Sequence, residues 1–368
     1  MKVLFTHPFF LPYVSRGAEV EIRDVGTQLR QNGIDVRLLT SKPSRWSRPP
    51  KRVEGLPVEY VYQRLTQAHA SAGLDEAALF NRTVASRFPE DDAQLVHCWH
   101  YADAAGSAGR RPGVPMILKL TGTVIPERIR TRNPRQHDLL MRAIQTADEV
   151  WCNSEYARTA MLGFGIPMRV VPAGVRFDPG PLTARESFPV ALVAAAPDDP
   201  RKRVEEVIDA WPAVLAAIPQ ARLWIAGEAS RITVDTLRDR VPADVRASIT
   251  FFGTLSREAL ARRYQQAWVV LAPGVHEALG LVTLEALASG TRVIGARSGA
   301  TTELLAGAGV LVEPQDVTGW SAAIVDELSN APLPRLKQAM EAAAPYRWER
   351  ILPIYLERYS ALVSGDQT

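Results

Sequence analysis

Cysteine is scarce: Cys98 and Cys152 are the only two, each closing an apolar run. Such thiols read as small buried hydrophobes in a reducing compartment, in preference to a disulfide. Long apolar runs are missing too, since no stretch approaches the roughly 18 residues needed to cross a bilayer. The opening MKVLFTHPFFLPY has neither a long apolar core nor a small-residue cleavage site, so it does not read as a signal peptide. We expect a cytoplasmic protein, associated with membrane at most peripherally. No G-x-G-x-x-G follows a strand with an acid about 20 residues on, which argues against a nicotinamide dehydrogenase. No third ligand accompanies His97 and His100, so no metal site is expected.

The 368 residues, 46% of them hydrophobic, can bury substantial cores, and the length suggests two or three domains. Residues 1–178 carry 24 Lys and Arg against 18 Asp and Glu, a balance of +6; residues 179–368 carry 19 against 22, a balance of −3. The basic excess sits in Arg45, Arg48, Lys51 and Arg52, and again in Arg128, Arg130, Arg132 and Arg135. Such clusters either line solvated loops or hold an anionic acceptor or a lipid surface. No basic, aromatic amphipathic helix accompanies them, and no nucleic-acid partner is expected.

Short apolar runs alternate with helical patterns. Segments 2–6, 36–40, 58–62, 94–98, 115–120 and 149–152 read as strands, with helices over 18–31 and 72–87 among the intervening stretches. The pattern restarts with strands at 190–195 and 221–226 and helices over 200–217, 257–266, 317–328 and 348–362. This alternation predicts parallel sheets wound with right-handed crossovers. Between the halves, 178–189 holds three prolines and no apolar period, as a linker would.

The densest chemistry lies in 273–296, PGVHEALGLVTLEALASGTRVIGA. Leu281, Leu284, Leu287 and Ala288 recur at three and four residues, so a helix opening near Gly280 can lay them on a sheet. Glu277 and Glu285 are eight residues apart, which returns to within roughly 80° on a helix; both carboxylates therefore look into one cleft. Between them, Ala278 and Leu279 lead to amides around Gly280, Leu281 and Val282 at a helix start. Unpaired N–H groups and the helix dipole favour an anion there.

This string resembles the E-x7-E signature of the family 4 retaining glycosyltransferases, with the following Gly290-Thr291-x-Val293-Ile294 strand and the Gly299…Glu303 segment in place. The resemblance extends over nearly the whole chain and is strongest at 273–316. It implies the α/β GT-B fold, two Rossmann-like domains facing across an interdomain cleft. On that reading 1–178 binds the acceptor, 179–189 is the linker, 190–345 binds the nucleotide-sugar, and 346–368 is a helix crossing back to the first domain.

The resemblance also implies roles. Glu277 would meet the donor sugar hydroxyls and Glu285 the ribose hydroxyls. Lys202 matches the lysine that clamps the donor diphosphate, but Ala196 stands where the family has an arginine and Arg203 where it has a glycine; compensation by Arg201 or Arg203 is expected. Gly17 lies in a segment similar to the family's Gly-Gly-x-Glu turn, where it either admits the donor or is a turn glycine only. Gly253 and Thr254 fall in the loop that reads the nucleobase. Thr121 occupies the place of a histidine that contacts the reacting sugar, and a hydroxyl cannot carry a proton near neutral pH as imidazole does. Thr123 lies beside it, while His97 and His100 are either acceptor-binding or hydrogen-bonded structural residues.

The activity implied by the resemblance is that of a metal-independent, retaining hexosyltransferase using UDP-sugar first and GDP-sugar next, with a hydroxyl of a glycan, lipid or secondary metabolite as acceptor. The nucleotide-sugar is a co-substrate and no cofactor is expected; no D-x-D loop argues for a cation-dependent enzyme. A sugar-nucleotide epimerase of the same fold, and a non-catalytic sugar-nucleotide-binding protein, stand beside that reading. Six lysines against abundant Arg and Ala hint at a GC-rich bacterial genome.

Overall fold

The computed structural model describes residues 1–65, 76–123, 126–176, 185–329 and 336–365. Most of the expected linker 179–189 falls outside them, as do the first residues of the helix expected over 72–87, whose described part is Glu76–Arg87. The side chains of Arg128 and Arg132 lie outside as well. The chain divides into two compact units: Met1–Gly174 with Trp348–Thr368, and Val175–Arg347.

The first unit is built on an eight-stranded sheet: β1 (Lys2–Thr6), β2 (Asp35–Lys42), β3 (Arg52–Val53), β4 (Leu56–Tyr62), β5 (Leu95–Cys98), β6 (Met116–Leu120), β7 (Glu149–Cys152) and β8 (Arg169–Val170). Their order is β3-β4-β2-β1-β5-β6-β7-β8, with every pairing parallel except β3 with β4. Central strands such as LVHC and MILKL are buried at every position, as strands covered on both faces must be. Chain order reverses between β1 and β5, the switch at whose carboxyl ends such sheets take ligands.

The helix Trp348–Ser364 belongs to this unit. It sets Trp348, Ile351, Leu352, Tyr355 and Tyr359 into the core that also holds Phe5, Trp99 and Trp151. At about 1.5–3 kcal/mol per buried large side chain, the five contribute on the order of 10 kcal/mol before chain entropy is charged against them. Cys98 and Cys152 are buried free thiols, as their apolar settings imply.

The second unit carries β9 (Val190–Ala194), β10 (Arg222–Ala226), β11 (Ile249–Gly253), β12 (Val269–Ala272), β13 (Arg292–Ala296) and β14 (Val310–Val312), all parallel, in the order β11-β10-β9-β12-β13-β14. Its switch lies between β9 and β12, so the loops leaving those two strands meet there. The helix expected from residue 200 is interrupted. Pro200–Lys202 forms one tight turn whose start is capped by Asp199, Arg203 sits at φ +48°, and the α-helix begins at Val204 and runs to Ala217. The helix Leu281–Ala288 buries Leu284, Leu287 and Ala288 as its spacing implies, whereas Leu281 at its mouth is only half-buried.

Candidate active site

Three loops of the second unit converge on one carboxylate. After β9, the Pro200–Lys202 turn presents Lys202; after β12, the loop to Gly280 presents Glu277. Lys202 Nζ lies 2.5 Å from Glu277 Oε1, with the two side chains 29% and 25% exposed, so the pair is formed yet open to a ligand. The backbone holds it there: Val275 N donates to Arg201 O at 2.9 Å, Ala300 N donates to Glu277 O at 2.9 Å, and His276 N donates to Ser298 Oγ at 3.1 Å.

Two glycines make room for this packing. A Cβ on Gly274 would lie 2.8 Å from Glu277 Oε1, and one on Gly299, at φ +67°, would lie 2.6 Å from Glu277 N. His276, at φ +58°, occupies a conformation that costs a side-chain-bearing residue about 1–2 kcal/mol. Such strain persists where the surroundings over-determine it.

Beyond Glu277, Ala278 and Leu279 are buried, so only their backbone can reach a ligand. Gly280, at φ +84°, starts the helix Leu281–Ala288 without a capping side chain, which leaves the positive end of the helix dipole to whatever anion approaches Leu281 and Val282. Glu285, one turn in, accepts a hydrogen bond from Tyr264 Oη at 3.1 Å. Burial and the Glu285 charge hold that phenol well above its ordinary pKa, so it remains a donor. Gly253, at φ +64°, ends β11 exposed, with Thr254 exposed beside it.

Arg201 and Arg203, expected to compensate for Ala196, are found in local ion pairs. Arg201 turns to Asp199, its guanidinium 2.6 Å from Oδ2, and is 71% exposed. Arg203 binds the buried Glu206, whose other oxygen accepts Trp320 Nε1 at 3.2 Å. Both arginines therefore close local ion pairs two and three residues away, while Lys202 lies against Glu277. The pair Arg203–Glu206 also explains how a non-glycine tolerates the left-handed position: the side chain gains a buried partner that glycine could not offer.

In the first unit His97 is corrected too. It is fully buried, stacked on Trp99 at 4.4 Å between ring centroids, with Nδ1 2.5 Å from Tyr359 Oη, so it is a core residue and not an acceptor ligand. His100 is partly exposed and caps the helix Tyr101–Gly106 by accepting from Ala102 N at 3.2 Å. His7, which sequence reasoning passed over, stands edge-on to it at 5.9 Å between ring centroids, on the facing side of the β1/β5 switch. Burial lowers the pKa of both, that of His100 to about 3, so both imidazoles are neutral at pH 7.

Gly17 is exposed at the start of the helix Gly17–Gln31, but the buried Glu19 carboxylate already accepts Arg16 N at 2.8 Å there. Thr121 is half-buried, with its carbonyl 3.5 Å from Asn153 Nδ2; Thr123 Oγ1 is buried and has no hydrogen-bond partner among the described residues. A further unforeseen element supports this strand end. Lys119, fully buried, lies 2.5 Å from Glu21 Oε1 and donates to Tyr355 Oη at 2.7 Å.

Residues 16–174 match the family described as "Glycosyl transferase 4-like domain", and residues 189–330 match "Glycosyl transferases group 1". The chain is similar to the D-inositol 3-phosphate glycosyltransferase of Mycolicibacterium smegmatis, 32% identical over 157 residues, a match spanning 40% of this chain and only 36% of that protein. It is similar as well to the GDP-mannose-dependent alpha-(1-6)-phosphatidylinositol dimannoside mannosyltransferase of Mycobacterium tuberculosis, 29% identical over 279 residues and 70% of each chain. In three dimensions it resembles sucrose-phosphate synthase from Thermosynechococcus elongatus, with a TM-score of 0.80, 18% identity and coverage of 99% of this chain and 100% of that one. That likeness shows the GT-B fold.

Proposed function

From the premise that the chain belongs to the family 4 glycosyltransferases, we propose that its second unit grips a nucleotide-sugar through Glu277, Lys202 and the start of the helix Leu281–Ala288, and that a sugar passes from it to an acceptor hydroxyl. The observation that carries this reading is the half-open Lys202–Glu277 pair at the sheet switch, beside a helix start with no capping side chain. An ammonium and a positive dipole end together suit a diphosphate. A phosphate oxygen competes with Glu277 for Lys202, and the carboxylate so released accepts hydrogen bonds from the sugar hydroxyls.

As the glycosidic bond breaks, negative charge grows on the leaving diphosphate, where Lys202 and the helix start stabilise it electrostatically. Glu277 positions the donor sugar and is not itself attacked; with retention, attack comes from the leaving-group face and the departing phosphate takes the acceptor proton. Glu285 receives the ribose, Gly253 and Thr254 lie against the base, and the first unit supplies acceptor contacts near Thr121, Thr123 and His100. Uridine is the first expectation for the base. Guanosine comes second, a relative being named for GDP-mannose. The acceptor is a hydroxyl on a glycan, lipid or secondary metabolite, and Arg45, Arg48, Lys51 and Arg52 favour one that bears negative charge.

A thermal-shift panel of UDP- and GDP-sugars tests the donor, because a ligand bound to the native state alone raises the midpoint. Absence of any shift would overturn the reading. With the donor known, Glu277→Gln should lower turnover at least tenfold, about 1.4 kcal/mol of transition-state stabilisation; turnover within threefold of the parent would remove Glu277 from this role.

A further inference from the structure

We propose that the loop joining β2 to β3 is a docking surface for an anionic lipid membrane, with Trp46 as its apolar tip and Arg45, Arg48, Lys51 and Arg52 as its charge. The proposal goes beyond the transferase reading and does not rest on it. Tryptophan is seldom left in water, and the other seven in this chain follow that rule: six are buried and Trp268 packs half-buried against the core of the second unit. Trp46 is 75% exposed.

The loop is built to hold it there. Ser47 N donates to Ser44 O at 3.1 Å and Trp46 N donates to Ser44 Oγ at 3.2 Å, a turn with Arg45 and Trp46 at its tip. Lys42 Nζ donates to Ser47 O at 3.1 Å and Val58 N donates to Lys51 O at 3.0 Å. Between those anchors Pro43, Pro49 and Pro50 fix φ, so little ordering entropy is left to lose on binding. The Arg45 guanidinium lies 4.4 Å from the Trp46 ring centroid, which keeps cation and ring together.

From Lys42 to Val53 the chain has five cations and no acid. Arg45, Arg48, Lys51 and Arg52 are exposed and, among the described residues, none of the four has a carboxylate partner. The next acid, Glu54, is taken by Arg23 at 3.2 Å. Unpaired cations around an exposed indole match the phosphate layer of an anionic membrane and the apolar boundary beneath it. Single-stranded nucleic acid calls instead for successive aromatic faces along a groove; here one ring stands at a turn, with a face already covered by Arg45.

The test is co-sedimentation of the full chain with vesicles of phosphatidylcholine alone and of phosphatidylcholine with about one-third phosphatidylglycerol. We expect binding to the anionic vesicles only, lost at about 0.5 M salt, where exposed charges are screened. Arg48→Gln combined with Lys51→Gln should lower the partition coefficient about thirtyfold, about fivefold per charge, and Trp46→Ser should lower it about tenfold. Arg231→Gln combined with Lys337→Gln makes the same change of net charge at side chains 95% and 88% exposed in the second unit, and should leave binding within about threefold of the parent. Binding to phosphatidylcholine alone, a loss in that control equal to the loss in the loop variant, or no effect of Trp46→Ser would overturn the surface. So would oligothymidylate binding tighter than the vesicles and lost in Trp46→Ser, which would assign the loop to nucleic acid. A parallel titration with nucleotide-sugars keeps the two ideas apart. Donor binding without vesicle binding sinks the docking surface alone; vesicle binding without donor binding leaves the surface standing and sinks the transferase reading.

Discussion

Replacing Lys202 by alanine removes one cation from a site where it already has a partner, and that partner sets the size of the effect. A charge-assisted bond from an ammonium to a phosphate oxygen contributes about 1.5–3 kcal/mol. Against it stands the pairing with Glu277 that the parent gives up on binding. Those side chains are 29% and 25% exposed, so the pair is closer to a surface ion pair than a buried one, at about 0–1 kcal/mol. The net loss is about 0.5–3 kcal/mol, about twentyfold in donor Kd at the centre of that range. Calorimetry with the nucleoside diphosphate and with the nucleoside alone localises it: the diphosphate should lose affinity and the nucleoside should not. In a Glu277→Gln background, where Lys202 has no competing carboxylate, the same substitution should cost more, and the difference is the coupling energy of the pair. A diphosphate affinity within threefold of the parent, in a variant with unchanged circular dichroism, would refute the assignment of Lys202 to the donor.

Three other perturbations probe the scaffold. Gly299→Ala places a methyl 2.6 Å from Glu277 N and 2.7 Å from Glu277 O at φ +67°; it should destabilise the second unit by about 2–4 kcal/mol in urea unfolding and weaken donor binding at once. Tyr359→Phe strips His97 Nδ1 of its partner while Nε2 already has none among the described residues, and should cost about 1–3 kcal/mol with donor affinity unchanged. Acid should weaken the first unit: burial lowers the pKa of His7, His97 and His100, so the folded state binds fewer protons than the unfolded one below pH about 6.5. Their stability is therefore complete above that value and lost as pH falls from it, toward about 3 for His100. Asp103, raised by burial, opposes them, but three groups outweigh one. His100→Asn keeps the cap on Ala102 and should flatten the dependence between pH 7 and 5 by about 1 kcal/mol per pH unit on average; an unchanged slope would refute it.

The sheets were legible because central parallel strands must be apolar on both faces, and VLF, LVHC, MILKL and VALVA say so without help from elsewhere. Strand order was not, because it depends on pairings between segments far apart in the chain. At the site, Glu277 and its glycine-led helix could be read from spacing, whereas the meeting of Lys202 with a residue 75 positions on required the β9/β12 switch. The local pairing of Arg201 and Arg203 was visible in DDPRKRVEE, where acids stand within three residues on either side. His97 carried a similar warning, lying inside an unbroken apolar strand. Lys119 and Glu21 gave none, since a lysine in MILKL is recognisable as buried only once a carboxylate and a tyrosine are seen to reach it.

The first unit is written in two instalments, with residues 175–347 between them. During translation β1 to β8 leave the ribosome with Phe5, Trp99 and Trp151 facing a vacant seat, and with Lys119 and His97 waiting for hydroxyls that Tyr355 and Tyr359 deliver only at the close. A stop codon just past the second unit would spare every residue of the Glu277 site and still yield a protein that quality control can recognise by its bare aromatic wall. Joining Ser364 to Lys2 in a circular permutant would present both instalments together, and would show whether that delay shapes the yield of native protein.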